Sequence, residues 1–314
     1  MKKPACIIEL LIYIFLITSC NRVENSVRPA KVNEKGGYFF TARNGLKIFV
    51  REYIPGVNPA STVYIISGIT GINHKNEKEI IDILSSDSNR VVVVHPRGTG
   101  YSEGLRGDTD PGDIIEDYCE IIKRDSSYSD ENKKLFLFGH SMSCAFAIDV
   151  ALKLPGSDGL ILVNPPYKLK PAKGMSPGFS DYLKYIGYYI FAPHTPVVNM
   201  AGDPSLIEDE TDRLESEQRN SDSLLVKYFS MCSMSASKKI MDAMSENARM
   251  VNIPLLLLYG ENDNIVDKSG CDEIYSAWKG MNKSYVTVRG GSHGKSTVIN
   301  GAGTIKEWMG RLKR

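Results

Sequence analysis

The chain has 314 residues, with 38 Lys and Arg against 37 Asp and Glu and a formal net charge of +1. That balance gives no electrostatic pull toward nucleic acid or anionic lipid, so no polyanion partner is implied. The length fits one core domain with an insertion, and no internal repeat is apparent.

Met1-Lys2-Lys3 and the mostly apolar stretch from Ala5 to Thr18 have the charged head and apolar body of an export signal. The stretch falls short of the ~20 residues that span a bilayer, and Glu9 interrupts it, which argues against an uncleaved anchor. Ile17-Thr18-Ser19-Cys20 resembles the lipobox of bacterial lipoproteins. The resemblance implies cleavage after residue 19, lipidation of Cys20 and an exported protein attached to a bacterial membrane; a plain signal peptide is the alternative. Cleavage would remove Lys2, Lys3 and Glu9 and bring the net charge to zero. Residues 20–36 are polar, with Pro29 and a Gly36-Gly37 break, and read as a tether.

The folded body opens with Tyr38–Thr41 and Leu46–Val50 around Asn44-Gly45, a hairpin signal. Strand-like runs follow at 62–67, 91–94, 135–138, 160–163, 255–259 and 285–288. Helical patterns near 77–85, 112–125, 142–154, 268–280 and 297–312 lie between them. Continuous apolar strands separated by helices predict an α/β fold, a mostly parallel central sheet flanked by helices on both faces. The regularity fails between Pro165 and about Ser237. The chain therefore divides into a first core part over 37–165, an inserted lid over 166–237 and a second core part over 238–314. The aromatic segment Tyr182–Phe191 reads equally as core packing or as the inner face of a lid that receives an acyl chain.

Leu135-Phe136-Leu137-Phe138-Gly139-His140-Ser141-Met142-Ser143 is a short apolar run that stops at a glycine before an amphipathic helical pattern. This predicts a strand, a sharp turn and a helix with Ser141 at the apex, pushed out of the sheet as a nucleophile. The usual G-x-S-x-G motif has Ser143 in place of its last glycine. A serine needs a base, and the base needs an acid. Of the five histidines, His293 follows the last strand-like run in Arg289-Gly290-Gly291-Ser292-His293-Gly294. Asp263 follows the run at 255–259, with Asp267 as competitor; the alternative acid position after 160–163 holds Asn164, which carries no charge. Ser141, Asp263 and His293 stand in the chain order this turn predicts. Cys119, Cys144, Cys232 and Cys271 lack metal-ligand spacing, so no metal or cofactor is called for.

On these residues the chain resembles the α/β-hydrolase superfamily, and within it the monoacylglycerol lipase, lysophospholipase and serine aminopeptidase-like group, over about residues 38–312. The group's His-Gly loop is similar to Ser67-Gly68-Ile69-Thr70-Gly71, with Ser67 for histidine. The resemblance implies an oxyanion hole from the backbone amides of Ile69 and Met142. The group's Asp-x-x-Gly-x-Gly-x-Ser segment is similar to His95–Ser102, with His95 for aspartate and a bracing role. The expected function is a serine hydrolase acting on carboxylic esters, of monoacylglycerol or lysophospholipid type. A serine aminopeptidase or amidase, or a binding protein on the same scaffold, are the alternatives. A peptidase needs an acid to hold the substrate's α-amino group, and Glu208-Asp209-Glu210 with Asp212 could supply one.

Overall fold

The computed structural model describes residues 36–56, 59–85, 89–171, 179–207 and 209–312, with side chains from 185 onward in the helix Phe179–Phe191. The signal, Cys20 and all but the last residue of the tether lie outside the described residues.

Eight strands form one sheet: β1 Gly37–Thr41, β2 Lys47–Tyr53, β3 Ser61–Ile65, β4 Asn89–Val94, β5 Lys134–His140, β6 Gly159–Val163, β9 Leu255–Gly260 and β10 Lys283–Val288. Their order is β1-β2-β4-β3-β5-β6-β9-β10. Every neighbouring pair is parallel except β1 with β2 and β2 with β4. The Asn44-Gly45 turn closes the β1–β2 hairpin, with Gly45 at φ 85°, a conformation a side chain would strain. β7 Val198–Asn199 and β8 Tyr228–Phe229 pair separately inside the insertion.

The apolar strands are buried because they serve two cores. Val92, Leu135, Leu137, Leu160, Leu162, Leu255 and Leu257 pack into one. Val91, Val93, Phe136, Phe138, Ile161, Val163, Leu256 and Leu258 pack into the other. Successive side chains of a strand point to opposite faces, so an unbroken apolar run is what a doubly covered sheet requires. Each such side chain contributes about 1.5–3 kcal/mol when fully buried. The helices Pro111–Arg124, Ser143–Lys153 and Lys268–Ala277 cover the first face. The helices Lys78–Ser85, Lys295–Asn300 and Ala302–Leu312 cover the second.

Local sequence sets the helix starts. Asp110 accepts the Gly112 amide and Pro111 fills the first turn; Asp267 accepts the Ser269 amide. Side-chain oxygens at these positions satisfy amides that the helix leaves unpaired. The last helical pattern, read as one stretch from 297 to 312, is two helices broken at Gly301.

Between β6 and β9 the described chain contains the helices Phe179–Phe191, Glu210–Ser221 and Met231–Asp242, with the β7–β8 pair. The described part of the aromatic segment, residues 185–191, is largely turned outward. Ile186, Tyr189, Ile190 and Phe191 are all more than half exposed.

Candidate active site

Ser141 sits between β5 and the helix Ser143–Lys153 with φ 52°, a strained conformation for a residue with a side chain. The turn is tight enough that a Cβ on Gly139 would lie 2.9 Å from Ala147 Cβ. The Ser141 amide donates to Val163 O at 2.9 Å, fixing the bend to β6.

Ser141 Oγ lies 2.7 Å from His293 Nε2, and His293 Nδ1 lies 2.9 Å from Asp263 Oδ2. Asp263 is 1% exposed, and its Oδ1 accepts the amides of Ile265 and Val266, each at 2.8 Å. Burial pushes the Asp263 carboxyl up. The hydrogen bond and charge of His293, with the Val266 and Ile265 amides, outweigh it and hold the group below its ordinary value. Asp267 is elsewhere, capping a helix.

The backbone of His293 is held from the sheet. Its carbonyl accepts from His140 Nε2 at 2.7 Å and from Asn164 Nδ2 at 3.2 Å. Asn164 is fully buried at φ 49°. Its Nδ2 also donates to Ser292 O at 2.8 Å, and its Oδ1 accepts the Gly260 amide at 2.8 Å. One uncharged side chain therefore ties the ends of β6 and β9 to the histidine loop. Sequence reasoning dismissed Asn164 as a failed acid. The signal it overlooked is that Asn tolerates the left-handed conformation and both donates and accepts. Burial, then the charge of His293, pushes His140 down to about 4.

Met142 directly follows Ser141, and Ile69 lies in the loop after β3. Two hydroxyls fasten that loop. Gly68 donates to Ser143 Oγ at 3.2 Å, so the serine at the motif's last glycine position joins the elbow helix to the residue before Ile69. The Ser67 amide donates to Tyr118 Oη at 2.8 Å. The sequence reading missed Tyr118. His95 is fully buried: its Nδ1 accepts the Tyr101 amide at 3.1 Å, so its proton is on Nε2, 3.0 Å from His74 Nδ1. Arg97 donates to both carboxylate oxygens of Asp117 at 2.7 Å. The segment is thus tied to the loop after β3 through His95 and to the helix Pro111–Arg124 through Arg97.

A cavity of about 850 Å³ opens over Ser141 and His293. Its lining includes the apolar side chains of Ile72, Ile80, Leu169, Met200, Ile207 and Met234 and the charged side chains of Glu77, Asp212, Glu215 and Arg219. Burial first, then Glu215, raises Glu77. Asp212 is raised by burial against the opposing pull of Ser292 and the Gly294 amide. None of the described side chains of the aromatic helix, residues 185–191, lines the cavity.

The sequence profile of the family described as Serine aminopeptidase, S33, matches residues 57–295. The chain belongs to that family. It is 22% identical to the monoglyceride lipase of Homo sapiens over 278 residues, which cover 84% of this chain and 82% of the relative. It is 26% identical to phospholipase YtpA of Bacillus subtilis over 238 residues, 72% of this chain and 85% of that one. Among solved structures, a soluble variant of monoglyceride lipase from Saccharomyces cerevisiae, in complex with a substrate analog, superimposes with a TM-score of 0.73 at 19% identity. That match covers 91% of this chain and 98% of the other. This S33 family member has the α/β-hydrolase fold and is a serine ester hydrolase. Among the described residues no group of three or more His, Cys, Asp or Glu is arranged to hold a metal, and the four described cysteines are unpaired.

Proposed function

We propose that the chain hydrolyses carboxylic esters of single-chain lipids, of monoacylglycerol or lysophospholipid type, through an acyl-enzyme on Ser141. Ser141 Oγ attacks the ester carbonyl as its proton passes to His293 Nε2. Asp263 holds the imidazole in the required tautomer and stabilises its charge. The amides of Ile69 and Met142 donate to the oxyanion. Collapse of the tetrahedral intermediate expels the alcohol, which takes the proton from His293; a water then repeats the cycle on the acyl-enzyme.

The observation that carries this reading is the Ser141–His293–Asp263 relay at 2.7 and 2.9 Å beneath a cavity lined in part by apolar side chains. The relatives named as monoglyceride lipase and phospholipase support the substrate class. An aminopeptidase needs an acid free and placed to hold the substrate's α-amino group; of the acids foreseen for it, Glu208 lies outside the described residues and the other three are committed elsewhere or face solvent. Asp209 caps its helix through the Asp212 amide at 2.9 Å. Glu210 is turned to solvent near Arg213, its side chain 80% exposed. Asp212 accepts the Gly294 amide.

In this reading the insertion is the lid, and the apolar lining it shares with the core receives the acyl chain. Export and lipid attachment at Cys20 complete the proposal, since a membrane-bound enzyme meets lipid esters where they reside. The test is a hydrolysis panel of monoacylglycerols, lysophospholipids, short aryl esters and aminoacyl arylamides. Preference for the single-chain lipids is expected; efficient arylamide cleavage with indifference to acyl length would make the peptidase reading the better one.

A further inference from the structure

The helix Lys295–Asn300 begins immediately after the catalytic-site histidine, and its N-cap is Gly294, which has no side chain to cap it. The first amides of a helix lack partners within it, so something else must satisfy these two. Two carboxylates from the helix Glu210–Ser221 do so, from about eighty residues earlier in the chain. Gly294 N donates to Asp212 Oδ2 at 3.2 Å, and Lys295 N donates to Glu215 Oε2 at 3.0 Å. The approach is close: a Cβ on Gly294 would lie 2.3 Å from Asp212 Oδ1 and 2.9 Å from Glu215 Oε2.

The same stretch of the insertion is also fastened to the loop after β3. Gln218 Nε2 donates to Asn76 Oδ1 at 2.9 Å, and the Val226 amide donates to Thr70 O at 3.0 Å, one residue past Ile69. Residues 210–226 thus bridge the histidine loop and the loop after β3. His293 is gripped from two directions, its carbonyl by His140 and Asn164 of the core, and the two amides that follow it by the insertion.

We propose that Asp212 and Glu215 are positioning residues for His293, so that the base is correctly aimed only while the helix Glu210–Ser221 is seated. The proposal rests on the reading of Ser141 and His293 as nucleophile and base. A base displaced by about 1 Å can cost about a hundredfold in rate, and the loss falls on the chemical step rather than on binding of a small substrate.

The experiment compares Asp212→Ala/Glu215→Ala with Asp212→Asn/Glu215→Gln, which keeps an acceptor oxygen at each position, and with Glu210→Ala, an exposed acid on the same helix. Turnover of a short aryl ester and the rate of fluorophosphonate labelling of Ser141 are measured for each, with the thermal midpoint as a folding control. The double alanine variant is expected to lose about ten- to a hundredfold in both kcat and labelling rate, with KM within about threefold of the parent. The amide variant recovers most of that loss, and Glu210→Ala matches the parent. Gly294→Ala supplies an independent arm. It should lower the labelling rate by crowding the carboxylates, and adding Asp212→Ala should make the combined loss smaller than the product of the two. Unchanged labelling in the double alanine variant, or a loss confined to KM, overturns the proposal. If the double alanine variant does not fold, multiplicative losses in the Gly294 arm overturn it instead. Failure of the parent protein to label at Ser141 would strike the catalytic reading itself, a separate result.

Discussion

Replacing Asp263 by Asn changes one atom type and tests the relay severely. The carboxylate uses Oδ1 to accept two buried amides, Ile265 N and Val266 N, both at 2.8 Å, and Oδ2 to face His293 Nδ1. An Asn at 263 must choose which end faces which group. Turning its NH2 toward the amides would strand two buried donors, at about 1–3 kcal/mol each, so the carbonyl stays with them and the NH2 faces Nδ1. The imidazole then becomes an acceptor at Nδ1 and carries its proton on Nε2, 2.7 Å from Ser141 Oγ, where it cannot take the serine's proton. The same wrong tautomer costs about 10⁴-fold in serine proteases, equivalent to about 5 kcal/mol of transition-state stabilisation. We expect a kcat loss of that order on a short aryl ester, with the thermal midpoint little changed. Asp267→Asn is the control: Asp267 caps a helix through the Ser269 amide, and Asn caps as well as Asp, so activity should match the parent. Asp263→Asn within about tenfold of the parent would refute the reasoning.

Ser141→Ala and His293→Ala should each lower ester turnover by several orders of magnitude, measured on the same substrate after removal of background hydrolysis. Along a series of monoacyl esters, kcat/KM should rise by up to about fourfold per added CH2, the equivalent of ~0.8 kcal/mol, until the chain fills the cavity; a flat series contradicts the acyl-chain assignment. His140, whose folded value is about 4, stays neutral in the native state while the unfolded chain protonates near 6.5. Its contribution to stability is therefore complete above about pH 6.5 and is lost as pH falls toward 4. The loss should reach about 2 kcal/mol by pH 5, so His140→Gln should show a smaller drop in urea midpoint between pH 7 and 5 than the parent; an equal drop counts against it. Cys20→Ser should abolish lipidation, checked by mass spectrometry of the mature terminus; an unmodified Cys20 in the parent removes the anchor.

The sheet was legible because its signal is local and repeated. Leu160-Ile161-Leu162-Val163 and Leu255-Leu256-Leu257-Leu258 are apolar on both faces because both faces are covered. The elbow was legible for a related reason: Gly139 and Ser141 encode a bend whose backbone conformation few sequences tolerate. Asp263 and His293 could be proposed because each follows a strand within a few residues, although their meeting depends on β9 and β10 being neighbours. What escaped depends on contacts between distant segments. Nothing near Asp212 or Glu215 in sequence indicates that they cap the helix after His293. Tyr118 reads as one more apolar helix position until its hydroxyl is found against the Ser67 amide. The aromatic run at 182–191 has the composition of a core or a channel, yet Tyr189, Ile190 and Phe191 face outward; composition reports how apolar a helix is, not what covers it.

The central claim is that Ser141 is a nucleophile activated by His293. Incubating the folded protein with a fluorophosphonate and mapping the adduct by peptide mass spectrometry tests it most directly. The account predicts one stoichiometric adduct on Ser141, formed at least about a hundredfold more slowly in His293→Ala. No adduct in the folded parent protein, or an adduct on another residue with Ser141 unmodified, would contradict it.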